Sequence, residues 1–152
     1  MVTIEPLAAA QVPSCVAVMR ALAAWFGIEQ AILNYAKDLE SCDGFTAVDD
    51  GRVVGFVGLK RLGSHAIELN VIGVLPQHHR KGIGSALLRA VEAEARDSGV
   101  SFLHTKTLSP SKPNEAYEKS REFWRAAGFL PLDEHLLWGP SNPCLVLLKA
   151  LR

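Results

Sequence analysis

Val74-Leu75-Pro76-Gln77-His78-His79-Arg80-Lys81-Gly82-Ile83-Gly84-Ser85-Ala86-Leu87-Leu88 decides the reading of the fold. An apolar run, Ala66 to Val74, stops at Pro76 and is read as a strand. From Gly82 the apolar residues Ile83, Leu87, Ala90 and Val91 recur at helical spacing, so a helix is expected from about Gly82 to Ser98, closed by Gly99. Between strand and helix lies a basic turn ending in two glycines. Glycine lets backbone come close to a ligand, and the first N–H groups of the helix have no partner inside it, so the turn is a candidate anion cradle. Arg80 and Lys81 add charge, and several converging donors suit a pyrophosphate better than a single carboxylate.

Two other glycine-loop readings fail on spacing. A dinucleotide loop needs GxGxxG directly after the strand, and Leu87 stands where the third glycine belongs. A phosphate-binding Walker loop needs Lys-Ser/Thr after its last glycine, which is missing here. Taken alone, the glycine pair also fits a solvated turn that caps a surface helix.

Outward from this stretch, the pattern gives a short strand at Val2 to Glu5 and helices from about Ala8 to Phe26 and Glu29 to Leu39. Strands follow at Phe45 to Val48 and Arg52 to Leu62, joined by the hairpin signal Asp49-Asp50-Gly51. After the central helix come a strand at Val100 to Thr105 and a helix opened by Ser111-Lys112-Pro113, with Ser111 as N-cap. Two strands, Phe129 to Leu132 and Cys144 to Lys149, close the chain. The expected architecture is α/β of the α+β type. It has a mixed, mostly antiparallel sheet of six to seven strands with helices on both faces, in one domain over residues 1–152.

The bulk composition narrows the function. Sixteen basic residues balance sixteen acidic ones, so no global field favours nucleic acid or an anionic membrane. The apolar stretch Leu7 to Ile28 is broken by Gln11, Pro13, Ser14 and Arg20 and reads as an amphipathic helix rather than a membrane span or signal peptide. Cys15, Cys42 and Cys144 have no CxxC spacing, which points away from disulfides and zinc and toward a reducing cytoplasm. The five histidines lack ligand spacing, so no metal site is expected.

The run from Val74 to Leu88 resembles the acetyl-CoA-binding motif of the GNAT superfamily of N-acetyltransferases, Gln/Arg-x-x-Gly-x-Gly/Ala after a strand ending in Val-x-Pro. The order of elements is similar over nearly the whole chain. The resemblance implies that the backbone of Ile72, Gly73 and Val74 binds the pantetheine arm. It also implies that the turn His79, Arg80, Lys81, Gly82, Ile83, Gly84, with Ser85, holds the pyrophosphate. His79 departs from the motif, where Gln or Arg is usual.

Glu68 and Asn70 share a face of the preceding strand by its two-residue period and are odd occupants of an apolar run. A buried carboxylate there could serve as general base, and several GNAT enzymes have a glutamate base at this spacing; a structural ion pair is the competing role. The family's acid is a tyrosine four residues before a Gly-Phe pair, where this chain has Trp124 before Gly128-Phe129. Indole cannot act as an acid. Tyr117 on the same helix, or a water, is then the candidate acid, and Trp124 would pack on the coenzyme. Both rings could equally fill the core.

Trp25 and Phe26, with Tyr35 near the junction of the first two helices, are candidate walls of the acceptor pocket. Asn70 and Trp138, and Asn142 beyond it, are further candidate substrate contacts. Trp25, Phe26 and Tyr35 also fit a core role. Cys144 is read as a buried strand residue rather than a nucleophile.

The implied reaction is transfer of an acetyl group from acetyl-CoA to a primary amine of a small-molecule or peptide acceptor, by direct attack through a tetrahedral intermediate. No metal, nucleic acid or membrane takes part in this reading, and homodimers are common in the family. Two alternatives stay open: a coenzyme-binding sensor without turnover, and a transferase using a longer acyl group.

Overall fold

The computed structural model describes residues 1–151. Seven strands form one sheet in the order β1-β2-β3-β4-β5-β7-β6. They are β1 (Val2–Pro6), β2 (Asp43–Asp49), β3 (Arg52–Leu62), β4 (Ala66–Val74), β5 (Phe102–Leu108), β6 (Leu130–His135) and β7 (Cys144–Ala150). All neighbours run antiparallel except β4 and β5. The four α-helices are α1 (Val12–Ala21), α2 (Glu29–Leu39), α3 (Ile83–Asp97) and α4 (Glu115–Ala126).

Each helix presents one apolar stripe to the sheet. On one face, Val12, Cys15, Val18 and Met19 of α1 and Ile32 and Leu39 of α2 pack with Phe56 and Val71. The other face receives Ile83, Leu87, Leu88, Val91 and Ala95 of α3, with Trp124 of α4, against Leu69, Leu103 and Leu147. The i, i+3, i+6, i+7 spacing in α1 and the wider stripe in α3 are what a half-buried helix requires. The β2–β3 turn pairs Asp49 with Arg52 and carries positive φ at Asp50 (50°) and Gly51 (76°), the twist-matched two-residue hairpin expected of Asp-Gly.

Several boundaries differ from expectation, among them the start of the first helix, at Val12 after a 3-10 turn over Ala9–Gln11, and β2, which is longer at both ends. The first helix stops at Ala21 rather than Phe26, because the Leu22 to Ile28 segment turns away and Trp25 bonds to α4. α4 is capped by Asn114, whose side chain accepts from the Tyr117 amide, and not by Ser111. The Ser111 hydroxyl instead donates to Ser109 and Glu134. β5 and β6 are shifted later in sequence, to Leu108 and His135, because β7 pairs along their length.

Two irregularities position the site. β4 pairs with β3 up to Leu69, then slips so that Val71 faces Gly58, leaving Asn70 bulged. β4 and β5 pair only at Ala66–Phe102, Ile67–Leu103 and Glu68–His104. Beyond them Thr105 Oγ1 donates to the Leu69 carbonyl, 3.1 Å, and the strands part.

Candidate active site

The parting strands open a cleft of about 660 Å³. At one end is the turn into α3. Arg80 (φ 61°) and Gly82 (φ 78°) are both left-handed, and Gly82 serves as N-cap without any side-chain cap. The first intrahelical bond of α3 is Ala86 N–H to Gly82 O, so the amides of Ile83, Gly84 and Ser85 are free to meet an anion. A Cβ at Gly84 would come within 3.2 Å of the Phe123 ring, so the α3 turn lies directly against α4 there.

His79, Arg80, Gly82, Ile83, Gly84, Ser85, Ile72, Gly73 and Val74 all line this cleft, and Lys81 does not. The His79 ring is turned inward. Its Nε2–H donates to the Val74 carbonyl at 2.6 Å, and its ring stands edge-on to Trp25 with centroids 6.0 Å apart. His79 therefore ties the turn to the end of β4.

Trp25 bridges the two sides of the cleft. Its indole N–H is shared between Ser120 Oγ (2.9 Å) and the Ala116 carbonyl (3.1 Å) of α4, while Tyr117 Oη–H donates to the Trp25 carbonyl at 2.9 Å. Burial pushes the Tyr117 phenol up to about 12, with the nearby Tyr35 adding to the rise. A proton held that tightly and already donated is poorly placed for transfer. Trp124 is 4% exposed and packs edge-on to Phe123 and Phe129, at 5.1 and 5.0 Å. It is a core residue that also reaches the cleft wall.

The other end of the cleft lies beneath α2. Tyr35 of α2 and Asn70, which bonds to Asp38 of α2, line the cleft there, and Trp25, Phe26, Trp138 and Lys106 of β5 line the same cleft. Phe26 and Tyr35 pack edge to face, 6.0 Å apart. Asn70 Nδ2 donates to Asp38 Oδ2 at 3.2 Å, and Lys60 reaches the same oxygen at 3.1 Å.

Glu68 is 6% exposed and does not line the cleft. Its Oε2 accepts from Lys106 Nζ at 2.8 Å and lies 3.8 Å from His104 Nδ1. Burial holds His104 below the usual histidine range, against the pull of Glu68, and among the described residues Nδ1 has no hydrogen-bond partner. The Tyr35 phenol is raised by burial and by the charges of Glu68 and Asp38. Cys144 is fully buried, and that burial raises its thiol.

Asn142 accepts from Lys112 at 3.1 Å and is away from the cleft. Lys106 was missed from sequence. Its signal was available: His104 and Lys106 alternate along β5 and fall on the Glu68 side once Glu68 is paired with His104. Among the described residues no group of three or more potential metal ligands forms, and no helix is long and apolar enough to cross a membrane.

Residues 17–129 match the acetyltransferase (GNAT) family. The chain belongs to that family. It is 31% identical over 84 residues to an uncharacterised N-acetyltransferase of Mycobacterium tuberculosis strain H37Rv, a match covering 55% of this chain and 50% of the relative. The chain thus spans about half the length of the curated relatives it matches.

Among solved structures, the ribosomal-protein-S18-alanine N-acetyltransferase from Escherichia coli superposes with a TM-score of 0.81 at 18% identity, covering 99% of this chain and 94% of that one. The PaiA N-acetyltransferase from Thermoplasma acidophilum, solved with coenzyme A, gives a TM-score of 0.77 at 17% identity over 99% of both chains. At these identities the likeness is one of fold.

Proposed function

We propose that this chain transfers an acetyl group from acetyl-CoA to a primary amine. The observation that carries the reading is the opening of β4 from β5 onto a glycine turn whose first helix amides have no partner among the described residues. The residues fit the coenzyme: the Ile83, Gly84 and Ser85 amides with Arg80 would hold the pyrophosphate, and the edge of β4 at Ile72 to Val74, which no strand covers, would hold the pantetheine arm. When bound, acetyl-CoA supplies an activated acyl group.

The chain's own groups then bind, orient and handle protons. N–H groups on the open edge of β4 are donors suited to polarising a carbonyl in a partly dry site. Lys106 borders the cleft, where a nearby cation favours the neutral form of an acceptor amine. Glu68 acts as a positioning residue for Lys106, because Lys106 and not the carboxylate borders the cleft. Tyr117 keeps its proton on the Trp25 carbonyl and so holds the Leu22 to Ile28 segment against α4.

A second reading is a coenzyme-binding sensor without turnover. It is favoured by Trp124 at the family's tyrosine position and by the engaged Tyr117 phenol. Titration with acetyl-CoA and CoA, followed by thiol release across an amine panel, separates the two. Coenzyme binding with release supports the transferase. Binding without release for any amine supports the sensor, and absence of coenzyme binding removes both.

A further inference from the structure

The charges around the α2 end of the cleft are unevenly placed. Two carboxylates lie on this face of the sheet, Glu68 and Asp38, and each is already held by a lysine: Glu68 by Lys106 at 2.8 Å and Asp38 by Lys60 at 3.1 Å. Neither borders the cleft. Among the described residues the cleft wall holds one carboxylate, Glu122, which precedes Phe123, whose ring lies against Gly84. A polycationic acceptor entering beneath α2 would meet an ammonium group and aromatic walls, with no carboxylate to receive it.

Lys106 offers the reverse. An ammonium group has three donors, and among the described residues only one is used, on Glu68. Its side chain remains 28% exposed and borders the cleft that Trp25, Phe26 and Trp138 also line. Buried Glu68 fixes one N–H, which orients the others. In surroundings this apolar a charge-assisted hydrogen bond is strengthened.

Aromatic walls can attract cations through their faces. Here Trp25 is fastened through its N–H and met edge-on by His79, Phe26 is packed on Tyr35, and the Lys106–Glu68 pair turns its positive end to the cleft.

We propose that the acceptor is a primary amine that also carries a carboxylate and an apolar body, its carboxylate received by Lys106 Nζ. This rests on the acetyltransferase reading and names its substrate class.

The test titrates the CoA-saturated protein with two matched pairs, phenylalanine against phenethylamine and 6-aminohexanoate against hexylamine, with spermidine as the polycation. Thiol release from acetyl-CoA is followed in parallel. At least one carboxylate member should bind about tenfold or more tightly than its partner, as one charge-assisted bond implies. Lys106→Arg should keep that preference and Lys106→Met should lose it.

Because Lys106→Met leaves Glu68 buried without its cation, the double variant Glu68→Gln/Lys106→Met provides a second protein lacking the ammonium. Equal binding within both pairs, tighter binding of spermidine, no detectable binding of any probe, or a preference that survives in the double variant overturns the proposal. Failure of CoA itself to bind would instead overturn the acetyltransferase reading beneath it.

Discussion

Replacing Glu68 by glutamine separates a carboxylate that positions from one that takes a proton. The glutamine keeps shape and an oxygen for Lys106, so the loss is that of charge across a 2.8 Å contact. Removing one partner of a fully buried pair costs about 3–5 kcal/mol, and an exposed pair contributes about 0–1 kcal/mol. With Glu68 8% and Lys106 28% exposed at their side chains, the cost falls between, at about 2 kcal/mol. For a domain of this size that lowers Tm by about 4–8 °C.

Thermal unfolding measures the first quantity and a pH series of kcat and KM the second. A positioning role predicts the fall in Tm, a raised KM for the acceptor and a pH profile of unchanged shape. A general base predicts a loss of about 10²–10⁴-fold in kcat, deepening where the carboxylate should be ionised. A wild-type Tm combined with that loss would refute the ion-pair reasoning.

Three further outcomes are expected. The Tyr117 phenol is raised to about 12 when folded and titrates near 10 when unfolded, so the native state holds the proton longer. The Tyr117 contribution to stability is therefore constant below about pH 10 and falls by up to about 2 kcal/mol between about pH 10 and 12. Tyr117→Phe should flatten that part of the alkaline denaturation curve; an unchanged slope would mean another group is responsible.

His104 is shifted the opposite way by burial, so its contribution is intact above about pH 6.5 and declines as the pH falls below it, where the unfolded chain gains the proton first. His104→Gln should reduce the acid sensitivity of Tm.

At Gly82 a Cβ meets nothing within 4 Å and the cost is the left-handed backbone alone, so Gly82→Asn should retain more stability than Gly82→Val in denaturant titrations. At Gly84 the obstacle is the Phe123 ring, and Gly84→Val should cost about 1–3 kcal/mol and weaken CoA binding. Equal tolerance at both glycines would contradict this division.

Local chemistry made much of the fold legible. β3, β4 and α2 fall where periodicity put them, and the Asp50-Gly51 turn fixes its hairpin. What was not legible depends on partners far away in sequence. Trp25 leaves the helical pattern because its indole is bound 91 and 95 residues away, by Ala116 and Ser120. Ser111 and Asn114 are both good caps, and Ser111 loses the role because Ser109 and Glu134 occupy its hydroxyl.

The candidate site divides the same way. The glycine turn is local and was readable. The bulge at Asn70, the pairing of Glu68 with Lys106 and the inward turn of His79 all arise from contacts across strands. Burial of Glu68 could be read from its strand; the identity of its partner could not, because parallel register between β4 and β5 spans three residue pairs and leaves no pattern in the sequence.

That short register also shapes the molecule's mechanics. β3 and β4 share eight residue pairs and β5 and β7 share seven, whereas β4 and β5 meet at three. The sheet is thus two stiff plates with a narrow pivot at residues 66–68 and 102–104. A ligand seated along the free edge of β4 adds the rungs that the ladder lacks and works as a keystone between the plates. On the proposed coenzyme reading, filling the wedge would couple occupancy to rigidity, and amide exchange along residues 70–74 would read that coupling directly.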